Sequence, residues 1–522
     1  MILATAALAG LAAVATGQAD TGLPEGKENT VVIVQNAGNA DADVNLDIYT
    51  PAGVAVGSAS RQARGIAPGG TAQFPQAVNE GLVEGFRGVG VLSSDEPINA
   101  LLVRDILRSA STEAKSYSLA NATAEGGHKL AAPFMFNELA PDGRSWNSRA
   151  SVVNVGTADA CVRTTYTLMP GTGGSTGDSS QTVVHPNSGE GDCSSNEFLL
   201  EAGAQLTFSP EPGDTVYPGN TQDNQMAAVF EVTNPSDDNR ISAVVDVYRS
   251  DGNRLLGSYN ALVQEGDDAP GDDVGTRVIA PIAMKSTSGF YTVTGVVNLS
   301  DADADAEIEF IGNLSDGTGA AFSHTEDLGT IPSDEGTFFS TYQTDDIPSG
   351  FIGYAVVTSD QPVAVNVIRG KLSDPQGDRS VDPGYASVNG VPEDQASETW
   401  RAPLYFRRYA PGAGASVGYN SWVQVQVADG GSANVTLRYV GDPASGCPTG
   451  PYELSTTVNN SKVFYANLNN SPDNGFPAGN APNCFFGGLE VTADDPIIVI
   501  SQVGADKFPG GDSEGVTNSF GE

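Results

Sequence analysis

The sequence predicts an all-β protein: four tandem β-sandwich domains, arranged as beads on a string. Three observations predict it. A twenty-residue segment recurs along the chain, apolar and polar residues alternate with period two, and the composition favours tight turns over helices.

Composition sets the frame. The 522 residues include 62 Gly and 31 Pro, with aromatics at 7%, which suits many short elements joined by turns. A chain of this length exceeds what one hydrophobic core organises and fits about three to five domains. Runs with helical 3.6 spacing are almost absent beyond the first twenty residues.

The recurring segment is the strongest signal. Residues 85–104 and 350–369 align without a gap, matching Gly85/Gly350, Phe86/Phe351, Gly88/Gly353, Asp95/Asp360, Pro97/Pro362 and Arg104/Arg369. A further copy keeps Phe485, Gly487, Asp494 and Pro496, and a degenerate one lies near residues 226–248. In the first pair an apolar run meets a Ser-Asp-x-Pro turn, where Asp bonds local backbone and Pro fixes φ. The turn is kept as Ala-Asp-Asp-Pro at 493–496 and lost in the degenerate copy. A second β-branched run follows, so the unit is predicted to be an antiparallel β-hairpin.

The alternating strands come next. Stretches beginning at Val34, Val153, Val297 and Val427 each end in a polar Asn/Gly turn and lead into an alternating strand. Val44, Leu46 and Ile48 then share a face, as do Val162, Thr164, Tyr166 and Leu168. The same holds for Ile308 with Phe310, and for Val435, Leu437 and Tyr439. Such alternation predicts one buried and one wet face.

A third element joins successive copies. Tyr117, Tyr259 and Tyr385 each precede a polar stretch, then an Ala-Pro dipeptide (Ala132-Pro133, Ala280-Pro281, Ala402-Pro403), then Trp146, Tyr291 or Trp422. Spacings of 118, 144 and 131 separate Asn36, Asn154, Asn298 and Asp429, so the copies have immunoglobulin-like size. The predicted division is an apolar N-terminal segment 1–20, then repeats 21–124, 125–264, 265–392 and 393–522.

This organisation resembles that of secreted bacterial cell-surface proteins built from tandem immunoglobulin-like domains, a group including adhesins, surface-layer and sheath proteins, and filament subunits. The resemblance is one of architecture and spans nearly the whole chain. It implies an extracellular structural subunit of a filament, sheath or surface layer. Its alternative is an adhesin-like module recognising polysaccharide or another cell surface. Fold alone does not choose between them.

Charge narrows the partners. The net charge is −39 and only seven residues are Lys. Such a surface repels phosphate backbones and excludes nucleic acid as a partner. Self-association, neighbouring surface proteins and polysaccharide remain as expected partners. Residues 1–19 are apolar and rich in small side chains, with Ala13-Val14-Ala15 and Gly17-Gln18-Ala19 as cleavage-type sites, although no Lys or Arg precedes the run. They read as a secretory signal and are too short for a comfortable membrane span. Retained instead, the segment would add as a strand to a neighbouring subunit's open sheet edge. The four cysteines allow three connectivities. Pairing within repeats gives Cys161–Cys193 and Cys447–Cys484, which suits an oxidising compartment.

No enzyme is expected. Gly414-Ala-Ser416-Val-Gly418 matches a nucleophile-elbow pattern, but a strand follows and no His lies beyond Ser416. Calcium is the candidate cofactor, with two acidic stretches as candidate sites. One is Asp301, Asp303 and Asp305, followed by Glu307 and Glu309; the other is Asp267, Asp268, Asp272 and Asp273. Oxygen-rich clusters suit Ca²⁺. Neither has EF-hand spacing, and a solvated strand face or an acidic linker explains each without metal. Asn-x-Ser/Thr sequons at Asn121, Asn298, Asn313, Asn434, Asn459 and Asn469 predict surface loops.

Overall fold

The computed structural model describes residues 2–6, 27–107, 114–123, 126–137, 146–169, 182–210, 224–249, 256–264, 273–287, 289–315, 320–371, 385–409, 419–466, 476, 484–505 and 514–521. Within them the chain is all-β, with strands in sheets and only three-residue 3₁₀ turns as helical elements.

The first two sheets set the pattern. One orders the strands Ile2–Ala6, Val89–Ser94, Ala42–Tyr49 and Arg61–Ile66; the other orders Thr71–Pro75, Lys27–Asn36, Ile98–Leu107 and Ala114–Asn121. Between them lies a core containing Val32, Val34, Val44, Leu46, Leu92 and Leu102. The predicted alternation holds: Val44, Leu46 and Ile48 are buried between half-exposed neighbours. Val162, Thr164, Tyr166 and Leu168 are buried too, as are Ile308, Phe310, Val435, Leu437 and Tyr439.

The recurring segment is not a hairpin. Val89–Ser94 pairs with Ile2–Ala6 and Ala42–Tyr49, whereas Ile98–Leu107 pairs with Lys27–Asn36 and Ala114–Asn121 in the other sheet. The Ser-Asp-x-Pro turn therefore carries the chain from one layer to the other. In later copies a single strand, Phe351–Lys371 or Phe485–Ala505, runs through both layers and links them into eight-stranded sheets. Period two specifies which face of a strand is buried but not which sheet it joins.

The repeated residues have local reasons. Gly85 and Gly350 have φ of +78° and +89°, where a side chain is strained. A Cβ on Gly88, Gly353 or Gly487 would sit 1.9, 2.0 or 2.2 Å from a carbonyl oxygen of the adjacent strand. At the corner, Asp95 Oδ1 accepts from the Asp43 amide, Asp360 Oδ1 from Asp305, and Asp494 Oδ1 from Asn434. In the degenerate copy Asn234 Oδ1 does so from Cys161. The other corner is fixed by Asn36, Asn154 and Asn298. Each side-chain amide donates to two backbone carbonyls, and its Oδ1 accepts from the amide two residues on. Pro133, Pro281 and Pro403 sit inside strands but at register shifts, as expected of proline in a β-bulge.

Four large apolar clusters form, drawn mainly from residues 32–120, 130–263, 278–388 and 391–499. The arrangement around them overturns the beads-on-a-string expectation. Ile33, Leu101, Val103 and Leu119 pack against Leu404, Phe406, Phe486 and Val503. Ala131, Ala227 and Val229 pack against Val297, Leu299 and Ala364. Strands Ala114–Asn121, Leu256–Asn260, Tyr385–Asn389 and Glu514–Asn518 contact one another in cyclic order, the fourth returning to the first. The physical reason is that faces expected to be wet carry apolar residues, whose burial favours closure over a linear string.

Candidate functional site

The four strands converge on one asparagine each. Asn121, Asn260, Asn389 and Asn518 occupy equivalent registers opposite Leu101, Val244, Asn366 and Ile500. Asn260 Nδ2 donates to the Asn121 carbonyl (2.7 Å), and Asn389 Nδ2 to that of Asn260 (2.9 Å). Asn518 Nδ2 donates to Asn389 (2.9 Å), and Asn121 Nδ2 to Asn518 (3.0 Å), closing the cycle. In two of these pairs the Oδ1 also accepts from the facing backbone amide. Each side chain therefore stands in for the missing edge partner of the next strand.

Around this ring opens a cavity of about 430 Å³, lined by the four asparagines together with Asp273, Asp394, Gln395 and Trp400. Trp400 is buried and its indole N–H donates to the Ile497 carbonyl (2.6 Å), so it presents no free stacking face. The lining mixes amides, carboxylates and backbone with apolar side chains, among them Leu119, Val388, Val391 and Val516.

Next to the ring, a charged network crosses between sheets. Arg104 is 1% exposed, and its guanidinium donates to both carboxylate oxygens of Asp246, with Nη1 2.9 Å from Oδ2. Arg104 Nη2 also donates to Ser258 Oγ, which donates to Asp246 Oδ1; Ser118 Oγ donates to Ser258 Oγ. Arg149 Nε lies 3.5 Å from Asp246 Oδ2. Burial pushes the Asp246 carboxyl up, but the charge and hydrogen bonds of Arg104, with Arg149 and Ser258, outweigh it and hold it below the usual carboxylate range. Close by, the Tyr259 hydroxyl donates to the Phe134 carbonyl (2.7 Å), and burial raises its pKa well above an ordinary phenol.

The sequence-predicted residues fall in several places. The disulfides Cys161–Cys193 and Cys447–Cys484 are present, with Cα–Cα distances of 5.5 and 5.6 Å, and they fit a non-reducing setting. No helix among the described residues is long and apolar enough to cross a membrane. Asp301, Asp303 and Asp305 are exposed; Asp305 Oδ1 accepts from Thr330 Oγ1. Asp273 Oδ2 accepts from the Val263 amide, so this carboxylate terminates a strand. Asp267, Asp268, Asp272, Ser416 and Asn469 lie outside the described residues. Asn298 is buried at a corner and Asn121 lies in the ring, so neither is the predicted surface loop. Asn313, Asn434 and Asn459 are exposed, but in strands Ala304–Leu314, Ser432–Gly441 and Tyr452–Asn459 rather than in loops. The His185 ring packs 5.2 Å from Phe198 and 5.8 Å from Phe208, an aromatic role rather than a ligand's.

Tyr259 precedes Asn260 directly, whereas Tyr117 and Tyr385 lie four residues before theirs, so the three tyrosines are not equivalent. The asparagines escaped sequence reasoning; separations of 139, 129 and 129, close to the copy length, are the signal that would have found them.

No protein-family model matches the chain, and no curated protein matches it. Among solved structures, a viral chemokine-binding protein, R17, encoded by the rodent gammaherpesvirus Peru, aligns over 77% of this chain and 88% of its own at 10% identity. Its TM-score of 0.11 is too low for the likeness to bear on fold or function.

Proposed function

We propose that the chain is an extracellular structural protein, a subunit of a filament, sheath or surface layer, built from four tandem immunoglobulin-like β-sandwiches. Cyclic closure of the four strands is the observation that supports this. It commits the inward faces and the cavity-side edges to internal packing, and makes one stiff block of the four apolar clusters. Arg61–Ile66, Thr182–Val184, Ala321–Ile331 and Tyr452–Asn459 then remain as sheet-edge strands, the natural surfaces for lateral contact between subunits. The acidic charge keeps the block soluble until such contacts form, and the disulfides suit export to the cell surface.

Electron microscopy and light scattering of native material, with and without Ca²⁺, test this reading. Regular polymers support it; monodisperse monomers in both conditions overturn it. The cavity beside the asparagine ring, where amides and carboxylates converge among apolar side chains, favours a second reading, a module that binds a hydroxyl-rich ligand such as a polysaccharide. Monomers that bind specific spots on a glycan array would establish that alternative.

A further inference from the structure

We propose that His324, Glu326 and Asp346 form a binding site for a single first-row divalent cation of the Zn²⁺ type. Their ligand atoms all lie within 4.8 Å of one another. His324 Nε2 and Glu326 Oε1 are 2.8 Å apart.

Placement distinguishes this trio from the acidic surface at large. Strand Ala321–Ile331 is an edge strand whose residues alternate between exposed and half-buried. On its half-buried face, Phe322 and Leu328 pack against the apolar core, and His324 and Glu326 stand between them. An imidazole and a carboxylate thus occupy positions where the pattern calls for apolar residues. The His324 ring is stacked on Phe322 (6.3 Å between centroids), which limits its rotation. Asp346 reaches the pair from the segment before strand Phe351–Lys371. That segment is anchored by Ile347, fully buried beside it, and by Lys285 Nζ donating to the Thr344 carbonyl. Three ligands are therefore presented by two separately anchored elements.

The donor set selects the metal. One imidazole nitrogen with two carboxylates suits Zn²⁺ and its neighbours, with water completing the sphere. Calcium takes oxygen ligands and gains little from His324. A bound ion would tie the edge strand to the loop beside it.

Isothermal titration of the full chain with Zn²⁺, in a large excess of Ca²⁺ to occupy surface carboxylates, tests the site. The expected result is one Zn²⁺ per chain, weakened more than about tenfold in H324A and in D346N, since even outer-shell losses cost that much. H128A, altered at a remote histidine, should bind as the wild type does. Zn²⁺ should also raise the melting temperature of the wild type but not of H324A. Absence of stoichiometric binding in Ca²⁺, or equal affinity in H324A, overturns the proposal. If H324A does not fold, D346N, changed at an exposed side chain, decides alone.

Discussion

Asp246 keeps its negative charge where water is excluded, and it does so because Arg104 reaches across from another sheet. A buried pair of this kind is costly to break from one side. Arg104→Leu should destabilise by about 3–5 kcal/mol, whereas Arg104→Leu with Asp246→Leu should cost less, as it removes the stranded carboxylate and gives up only the Arg149 and Ser258 contacts with Asp246. Urea unfolding of the two variants checks this. The pH dependence has a definite sign. The folded pKa of Asp246 is depressed, so its stabilisation is present above the unfolded value near pH ~3.9. It is lost as pH falls through the folded value. The stability gap between wild type and double variant should therefore narrow in acid and stay constant from about pH 5 upward. Asn389 is a second residue with remote consequences: Asn389→Ala strands the Asn260 carbonyl and should cost about 1–3 kcal/mol. At this scale sequence reading succeeded where the partner is local. Asn36 and Asn154 are legible as turn residues because they bond backbone within or beside their own turn; Asn298 makes the same turn contact, although its sequon points to a surface loop. Asn121 carries a surface sequon in sequence, and its true partners, 139 and 397 residues away, leave no local signal.

Strands show the same division. Burial along Ala42–Tyr49 followed directly from alternation, and the proline-containing strands were visible as repeated Ala-Pro elements. The Ser-Asp-x-Pro segment was located correctly but joined to the wrong partner, since turn chemistry specifies a change of direction and not the sheet that receives it. The glycine three residues after Gly85 and Gly350 is required by the close approach of the neighbouring strand's backbone in the same sheet. In Gly353→Ala the new Cβ would meet the Ile311 carbonyl oxygen at 2.0 Å, and the displaced strand should cost about 1–3 kcal/mol. A control at Gly370, where a Cβ would meet nothing within 4 Å, should be close to neutral by the same denaturation assay. Removing a disulfide is a comparable perturbation: C161A/C193A, which opens a separation of 32 residues, should lower stability by about 2–4 kcal/mol.

For the molecule as a whole, the recurrence of a β-strand unit along the chain could be read from periodicity, but the relation between copies could not. Ile33, Leu101, Val103 and Leu119 look like ordinary strand residues in sequence, and only their partners Leu404, Phe406, Phe486 and Val503 explain them. Linear repeats would melt piecewise. Here differential scanning calorimetry should show one dominant cooperative transition, because loosening any member exposes apolar surface on both neighbours. A fragment spanning 27–264 should correspondingly associate or precipitate, having lost the cover over Leu101 and Val103.

The meeting of strand Glu514–Asn518 with strand Ala114–Asn121 also bears on how the protein takes a mechanical load. Tension applied from opposite ends of the polypeptide would be borne at that seam before it reached any sandwich interior. Single-molecule stretching should record an early low-force release as the circle parts, then stiffer steps as individual sandwiches yield. A coat made of such blocks would stretch slightly and recover before anything in it unravelled.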